Sequence, residues 1–94
     1  MIDNLTFPIM QLVATPGVLE LPGFIDLAEY LNRHISGDYG EVNKDSFDTA
    51  SNHQAILAHK GMVLSVYNLP DGGQLNIKTD FSVGITTIYL PEED

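Results

Sequence analysis

The sequence predicts a two-layer α+β domain, in which a three- to four-stranded antiparallel sheet packs against two helices on one of its faces. Residues 62–90 contain the densest run of β-forming residues, and they include one clear turn signal. Residues 22–36 place apolar side chains at helical spacing, and a weaker helical pattern lies between residues 43 and 61. A chain of 94 residues with this pattern is expected to fold as a single domain.

Residues 9–13 form a short apolar run with β propensity, which predicts a first strand. Pro8 has no N–H group to donate, so it suits the start of a strand or the edge of a sheet. The tripeptide Thr15-Pro16-Gly17 predicts a turn, and residues 18–21 are expected to form an extended connection.

The first predicted helix covers residues 22–36, with Pro22 in its opening turn and Gly37 positioned to end it in a left-handed conformation. Its apolar residues recur with the helical period and therefore share one face: Phe24, Leu27, Ala28, Leu31 and Ile35. Residues 38–43 are polar and punctuated by glycine, which predicts a surface loop.

A second helix is predicted to begin after Asn43 or Asp45, either of which can cap it, and to end before Gly61. Its anchoring residues are predicted to be Phe47, Ala50, Leu57 and Ala58.

The C-terminal part predicts a meander of three strands at residues 62–67, 74–79 and 85–90. The turn Pro70-Asp71-Gly72-Gly73 joins the first two strands. Leu64 and Val66 alternate with more polar neighbours, as do Leu75 and Ile77, so one face of the sheet is expected to meet a core. Residues 91–94 are expected to form a frayed acidic tail.

The formal net charge of −9 opposes direct binding to nucleic-acid phosphates and to anionic membranes. An acidic surface can instead meet a basic protein, including one whose nucleic-acid groove it occupies as a mimic of the phosphates. Charged residues make up 18% of the chain, so apolar surface is expected to remain for self-association, for example as a homodimer. The chain has no cysteine, no leader pattern and no apolar run of the ~20 residues that a membrane helix needs, which favours the cytoplasm.

Candidate catalytic residues are grouped at the end of the first predicted helix, where His34, Asp38 and Glu41 could converge as an acid–base or metal site. The competing interpretation is that His34 only stabilises the negative end of the helix dipole, and we favour it. His53 and His59 are six residues apart and do not have the spacing of a shared helical metal site.

Other chemistry is not indicated by the sequence. Asp45 and Asp48 lack the spacing of a calcium loop, and Ser65 lacks a nucleophile elbow. No cofactor or metal is predicted, and the balance leans against an enzyme.

Residues 34–93 carry a further pattern, in which Gly37-Asp38-Tyr39-Gly40-Glu41-Val42 is followed by Leu69-Pro70-Asp71-Gly72. The other matching positions are Asp45, Asn52, Leu64, Ser65, Tyr67, Thr86, Thr87, Ile88, Leu90, Pro91, Glu92 and Glu93. This segment resembles a group of small uncharacterised bacterial proteins that are often encoded on plasmids and integrative elements. Three positions depart from the group: Tyr39 stands in place of a tryptophan, Asn76 in place of an aromatic residue, and Phe81-Ser82 in place of a charged connection.

The resemblance implies no reaction, but it implies a role in mobile-element maintenance or in countering host defence. The leading hypothesis from the sequence is a small acidic protein that acts through protein–protein contact, and it rests on the acidic charge, the modest charged fraction and the lack of a recognisable catalytic constellation. The alternatives are an enzyme that uses His34, Asp38 and Glu41, and an inhibitor that mimics a nucleic acid.

Overall fold

The computed structural model describes residues 10–23, 25–41, 55–56, 58 and 60–93. Within this part, the strands are β1 (Gln11–Ala14), β2 (Met62–Asn68), β3 (Gln74–Asp80) and β4 (Ile85–Tyr89). The helices are α1 (Pro16–Leu19) and α2 (Leu27–Ile35), and a 3₁₀ turn named η1 (Pro91–Glu93) follows β4. The predicted α+β fold is confirmed.

The strands form one sheet in the order β1-β4-β3-β2. The β2–β3 and β3–β4 pairs are antiparallel, as the meander predicted, whereas β1 pairs with β4 in parallel, so the sheet is mixed. A short apolar run such as that of β1 has strand propensity but contains no signal for its direction. Its neighbour in the sheet is β4, more than 70 residues later in the chain, so the direction depends on a contact that the local sequence does not contain.

The face of the sheet that meets the helices is defined by its register. Ser65 pairs with Ile77, and Ile77 pairs with Ile88, so these side chains share one face. Val18 of α1 and Tyr30 of α2 are buried in the same core. Both helices therefore cover this face.

In β2, the side chains that face the core are not the alternating pair that the sequence analysis singled out. Val63, Ser65 and Tyr67 are buried there, whereas Leu64 and Val66 point to the opposite face and are exposed and half-buried. In β3 the apolar alternation does mark the core, because Leu75 and Ile77 are both fully buried.

The segment after β1 is a single helical turn, α1, rather than the predicted turn and extended connection. Pro16 begins it, and Val18 enters the core with 1% exposure. The carboxylate of Glu93 accepts hydrogen bonds from Thr15 Oγ1 at 2.5 Å and from the Gly17 N–H at 2.9 Å. Residues 91–93 of the acidic tail predicted to fray are thus docked, because Glu93 binds the Gly17 N–H, which α1 leaves without an intrahelical partner, and the Thr15 hydroxyl.

Helix α2 begins at Leu27, five residues after Pro22, where the sequence predicted the helix to begin. Asp26 is its N-cap, and its Oδ1 accepts hydrogen bonds from the Ala28 N–H at 3.1 Å and the Glu29 N–H at 3.4 Å. Pro22 instead lies in a separate turn, closed by the Ile25 N–H to the Pro22 carbonyl. The helix ends before Gly37, whose φ of 90° confirms the predicted left-handed stop.

The second predicted helix lies mostly outside the described residues, as do Phe24, Phe47, Ala50 and Leu57. Residues 55, 56 and 58 are helical, and Ala55 and Ile56 are buried against Val63. The hairpin prediction is confirmed: the Leu69 N–H donates to the Gly73 carbonyl at 2.8 Å across the β2–β3 turn.

Replacing Glu93 by Gln is expected to lower the melting temperature, because an amide nitrogen cannot accept the hydrogen bonds of Thr15 and Gly17. These bonds lower the pKa of Glu93 from 4.5, the Thr15 bond most strongly. The stabilisation should therefore be present above pH 4.5 and be lost as the pH falls through the folded-state pKa. Thermal melts at pH 7 and pH 3 measure it, with the exposed neighbour Glu92→Gln as the matched control. Equal melting temperatures for the two variants at pH 7 would contradict this role.

Replacing Asn76 by Val is expected to stabilise the fold by about 1–2 kcal/mol, because the buried Oδ1 of Asn76 has no hydrogen-bond partner. The residues paired with position 76 are Val66 on β2 and Tyr89 on β4, and a valine side chain can pack against both of them. Urea denaturation measures the free energy of unfolding. The control is Gln74→Val on the same strand, where the side chain is exposed, so the change gains β propensity and loses only the exposed hydrogen bond from Gln74 Nε2 to Asn68 Oδ1. A gain no larger than that of the control argues against an unsatisfied carbonyl.

Candidate functional site

His34 lies in the last turn of α2 and is completely buried, with 0% exposure. Its Nδ1 lies 2.6 Å from Ser65 Oγ on β2, and its Nε2 lies 2.9 Å from Thr79 Oγ1 on β3. Both ring nitrogens are therefore engaged with hydroxyl groups of the sheet, and neither is directed at the carboxylate of Asp38 or Glu41.

The hydrogen bonds of His34 belong to a longer series that we call the polar chain: Tyr67, Ser65, His34, Thr79 and Thr86. Thr79 Oγ1 lies 2.8 Å from Thr86 Oγ1 on β4, and the Tyr67 hydroxyl donates to the main-chain carbonyl of Asp38 at 2.6 Å. Burial raises the pKa of Tyr67 to about 12, and a hydrogen bond from Ser65 acts in the opposite direction. The polar chain thus links α2 to β2, β3 and β4.

The donors along the polar chain can be assigned because each hydroxyl has one proton. The Tyr67 proton is used on the Asp38 carbonyl, so Ser65 donates to the Tyr67 oxygen. The Ser65 oxygen then accepts from Nδ1–H of His34, and Nε2 accepts from Thr79. Thr79 in turn accepts from Thr86. The bonding pattern assigns the Nδ1–H tautomer to His34.

The environment of His34 favours a structural role. Burial lowers its pKa to about 3, so the imidazole is neutral at pH 7. A serine hydroxyl beside an imidazole is the first part of a nucleophile–base pair, yet Ser65 and His34 both have 0% exposure. A substrate has no access to this pair in the folded protein.

Asp38 lies on the surface, where it pairs with Arg33. Its Oδ2 lies 2.8 Å from Arg33 Nε, and its Oδ1 accepts the Gly40 N–H at 3.1 Å. The hydrogen bond to Asp38 raises the pKa of Arg33. The guanidinium carbon lies 4.7 Å from the centre of the Tyr67 ring and 5.9 Å from that of Tyr30, within cation–π range. Asp38 therefore holds the exit of α2 against the sheet.

Residues 39–41 dock on the edge of β2 instead of forming a free surface loop. The Val66 N–H donates to the Tyr39 carbonyl, and the Glu41 N–H donates to the Val66 carbonyl. Tyr39 is buried with 4% exposure. Gly40 has a φ of 67°, and a Cβ there would collide with the Val66 carbonyl and the Tyr67 ring. The side chain of Glu41 remains exposed.

The structure does not bring the three predicted residues together: His34 faces the core, Asp38 binds Arg33, and Glu41 extends from the β2 edge. The acid–base hypothesis therefore lacks the convergence that it requires. His53, His59, Asp45 and Asp48 lie outside the described residues. Within the described part of the chain, no group of three His, Cys, Asp or Glu residues is arranged to hold a metal ion.

The surface beside the α2 exit is acidic, and we call Glu29, Asp38 and Glu41 the acidic face. All three side chains are exposed. Glu29 precedes Arg33 by one helical turn and interacts with it electrostatically, and Asp38 is bonded to it. Two carboxylates thus act on one guanidinium, and the exposed carboxylate of Glu41 follows three residues after Asp38, which leaves an excess of negative charge at this face.

The partners of His34 were not predicted, although the sequence contains a signal for them. Ser65, Thr79 and Thr86 occupy the same alternating phase as the buried Ile77 and Ile88. Polar residues in the buried phase of a strand need hydrogen-bond partners, and a histidine on the facing helix is a suitable one.

Comparisons with protein-family models, with curated proteins and with solved structures found no match to this chain. In the residues that the structure describes, no helix has the length and apolarity needed to cross a membrane.

Stability is expected to fall as the pH is lowered from about 6.5 to about 3, by roughly 1.4 kcal/mol per pH unit from His34 alone. The folded-state pKa is below the unfolded value, so the contribution is complete above pH 6.5 and is lost as protons bind the unfolded chain. Urea denaturation at a series of pH values measures this slope.

The control for this prediction is His34→Gln, which should be less stable at pH 7 and should lack this part of the slope. If that variant does not fold, the ring ¹⁵N shifts of wild-type His34 provide the test. They should report a neutral Nδ1–H imidazole that does not titrate between pH 7 and pH 5. Titration of His34 in the folded protein near pH 6.5 would contradict its burial in the polar chain.

Proposed function

We propose that this protein acts through protein–protein contact, as a small acidic module that binds a basic partner through the acidic face. The observation that carries this proposal is the exposure of Glu29, Asp38 and Glu41, of which Glu29 and Asp38 act on the guanidinium of Arg33. A lysine- or arginine-rich surface would gain attraction there from the excess of negative charge.

The charge of the whole chain supports the same proposal. Between residues of the described part, the one ion pair joins Arg33 to Asp38. Lys60 is exposed, whereas Lys78 is half-buried with its ammonium group over the Tyr89 ring. The exposed acids outnumber these cations: Glu20, Asp26, Glu29, Asp38, Glu41, Asp71 and Glu92. With a net charge of −9, long-range attraction would speed the approach of a basic partner.

The cytoplasm is the proposed place of action, in keeping with a chain that has no cysteine. A role in mobile-element maintenance or counter-defence, as the resemblance implies, is one setting in which such contact would act. A nucleic-acid mimic is a special case of the same proposal, in which the basic partner is itself a nucleic-acid-binding protein.

Affinity capture from the native cell lysate tests the proposal with three forms of the tagged protein. Wild type should retain a basic partner at about 0.05 M salt and lose it at about 0.5 M salt, where charges are screened over a shorter distance. The double variant Glu29→Gln/Glu41→Gln should lose the partner at low salt. The Arg33–Asp38 pair remains intact in that variant, so the fold of the α2 exit is preserved.

The matched control is Glu20→Gln/Glu92→Gln, which changes the net charge by the same amount at α1 and η1, beside the opposite edge of the sheet. It should retain the partner. Equal loss in the control would show that total charge, and not the acidic face, governs binding. Retention of the same partner at high salt would contradict an electrostatic contact, and release by added duplex DNA would identify a mimic.

A further inference from the structure

We propose that the outer edge of β1 pairs with the same edge of a second copy of this chain, so that two sheets join into one continuous sheet. The proposal rests on open backbone groups, exposed apolar side chains and the absence of charge along β1 and β4. It is independent of the acidic face, which lies at the other end of the sheet.

The open backbone groups follow from the pairing of β1 with β4. The Gln11 N–H donates to the Gly84 carbonyl at 3.2 Å, and the Thr15 N–H donates to the Ile88 carbonyl at 3.1 Å. Backbone groups alternate in direction along a strand, so those of Leu12 and Ala14 point away from β4. Among the described residues, no strand pairs with this edge, since β1 is the outermost strand of the sheet. An open edge of this kind is a template for another strand.

The length of β1 limits the register of self-pairing. Met10 has a φ of 63° and interrupts the strand at one end, while Pro16 begins α1 at the other. Leu12 and Ala14 are thus the β1 residues whose outward backbone groups have no strand partner in the part of the chain that the structure describes. A two-fold antiparallel arrangement that places Leu12 opposite Ala14 of the second copy uses the N–H and C=O groups of both residues in each chain. This register places Val13 opposite Val13 of the second copy.

The side chains suit this register. Leu12 is 48% exposed and Val13 is 38% exposed, which is high for branched apolar residues of a strand. On the helix side of the joined sheet, each Leu12 would cover the small side chain of Ala14 from the other copy. On the opposite side, the two Val13 side chains would meet at the two-fold axis. Self-pairing therefore buries the apolar surface that β1 exposes.

The distribution of charge favours a second copy over a basic partner at this edge. Residues 10–19 and strand β4 contain no charged residue, so the first charges of the sheet are on β3, at Lys78 and Asp80. With strands ~4.8 Å apart, the β3 strands of two joined copies would be about 24 Å from each other. That distance exceeds the Debye length of ~8 Å at physiological salt. The sheets of two copies can therefore meet here with little repulsion, and a basic partner would find no carboxylate on the strands themselves. The residual repulsion comes from carboxylates beside the strands, at Glu20, Glu92 and Glu93, and that of Glu93 is already bound by Thr15 and Gly17.

The salt dependence distinguishes this dimer from the proposed partner complex. Added salt screens the residual repulsion between two acidic copies and should strengthen the dimer, whereas it should weaken binding of a basic partner at the acidic face. The contact is small because β1 has four residues, so we expect a weak dimer that forms with rising concentration.

Sedimentation equilibrium from about 10 μM to about 1 mM protein tests the proposal, a range suited to a small interface. The wild-type average mass should rise from that of a monomer towards that of a dimer, and it should rise further at higher salt. The amide protons of Leu12 and Ala14 should become protected from exchange over the same concentration range.

Val13→Lys should keep the protein monomeric over that range, because it places like charges opposite each other at the two-fold axis. The matched control Val83→Lys introduces the same charge at a 64% exposed position in the β3–β4 turn and should dimerise as wild type does. Ala14→Pro removes one edge N–H without touching the bonds to β4 and should also prevent dimerisation. A constant monomer mass for wild type, or dimers of Val13→Lys and Ala14→Pro as strong as wild type, would overturn self-pairing. A constant monomer mass would instead favour pairing of this edge with an extended segment of a different protein.

Discussion

The buried imidazole of His34 is the constraint on which the arrangement of α2 and the sheet depends. A histidine without solvent is tolerated only when both of its nitrogens are hydrogen-bonded, and here the two partners come from two different strands. Thr79 extends the contact to Thr86 on a third strand. Any shift of α2 along the sheet would break these bonds inside the core, where no water can replace them. The polar chain therefore specifies one docking position among the several that apolar packing alone would allow.

Several residues of the pattern between residues 34 and 93 have structural roles. In Gly37-Asp38-Tyr39-Gly40, the first glycine ends α2, Asp38 binds Arg33, Tyr39 is buried and Gly40 permits close approach to β2. Leu69-Pro70-Asp71-Gly72 forms the hairpin turn, and Glu93 caps α1. These residues stabilise a helix end, a strand contact and a turn, so each of them has a local cause in the fold.

Features with local causes could be predicted from the sequence, and those with distant causes could not. The β2–β3 hairpin depends on a turn between adjacent strands, and Gly37 ends α2 through its own φ, so both were predicted. The capping of α1 depends on Glu93, which is 76 residues from Gly17 in the chain. The direction of β1 depends on β4, and the burial of His34 depends on hydroxyls 31 and 45 residues away. A histidine that follows an apolar helical face looks like a surface residue until its partners in the sheet are known.

The parallel pairing of β1 with β4 also affects how the chain folds. Gln11 and Ile85 are neighbours in the sheet but lie at opposite ends of the described sequence. Closing so long a loop has a large entropic cost before any contact compensates for it, and folds rich in such contacts form slowly. During synthesis, β1 leaves the ribosome before the other described strands and must wait for β4 before it has its neighbour in the sheet. An uncharged strand that remains unpaired for that time is a site where a chaperone would be expected to bind.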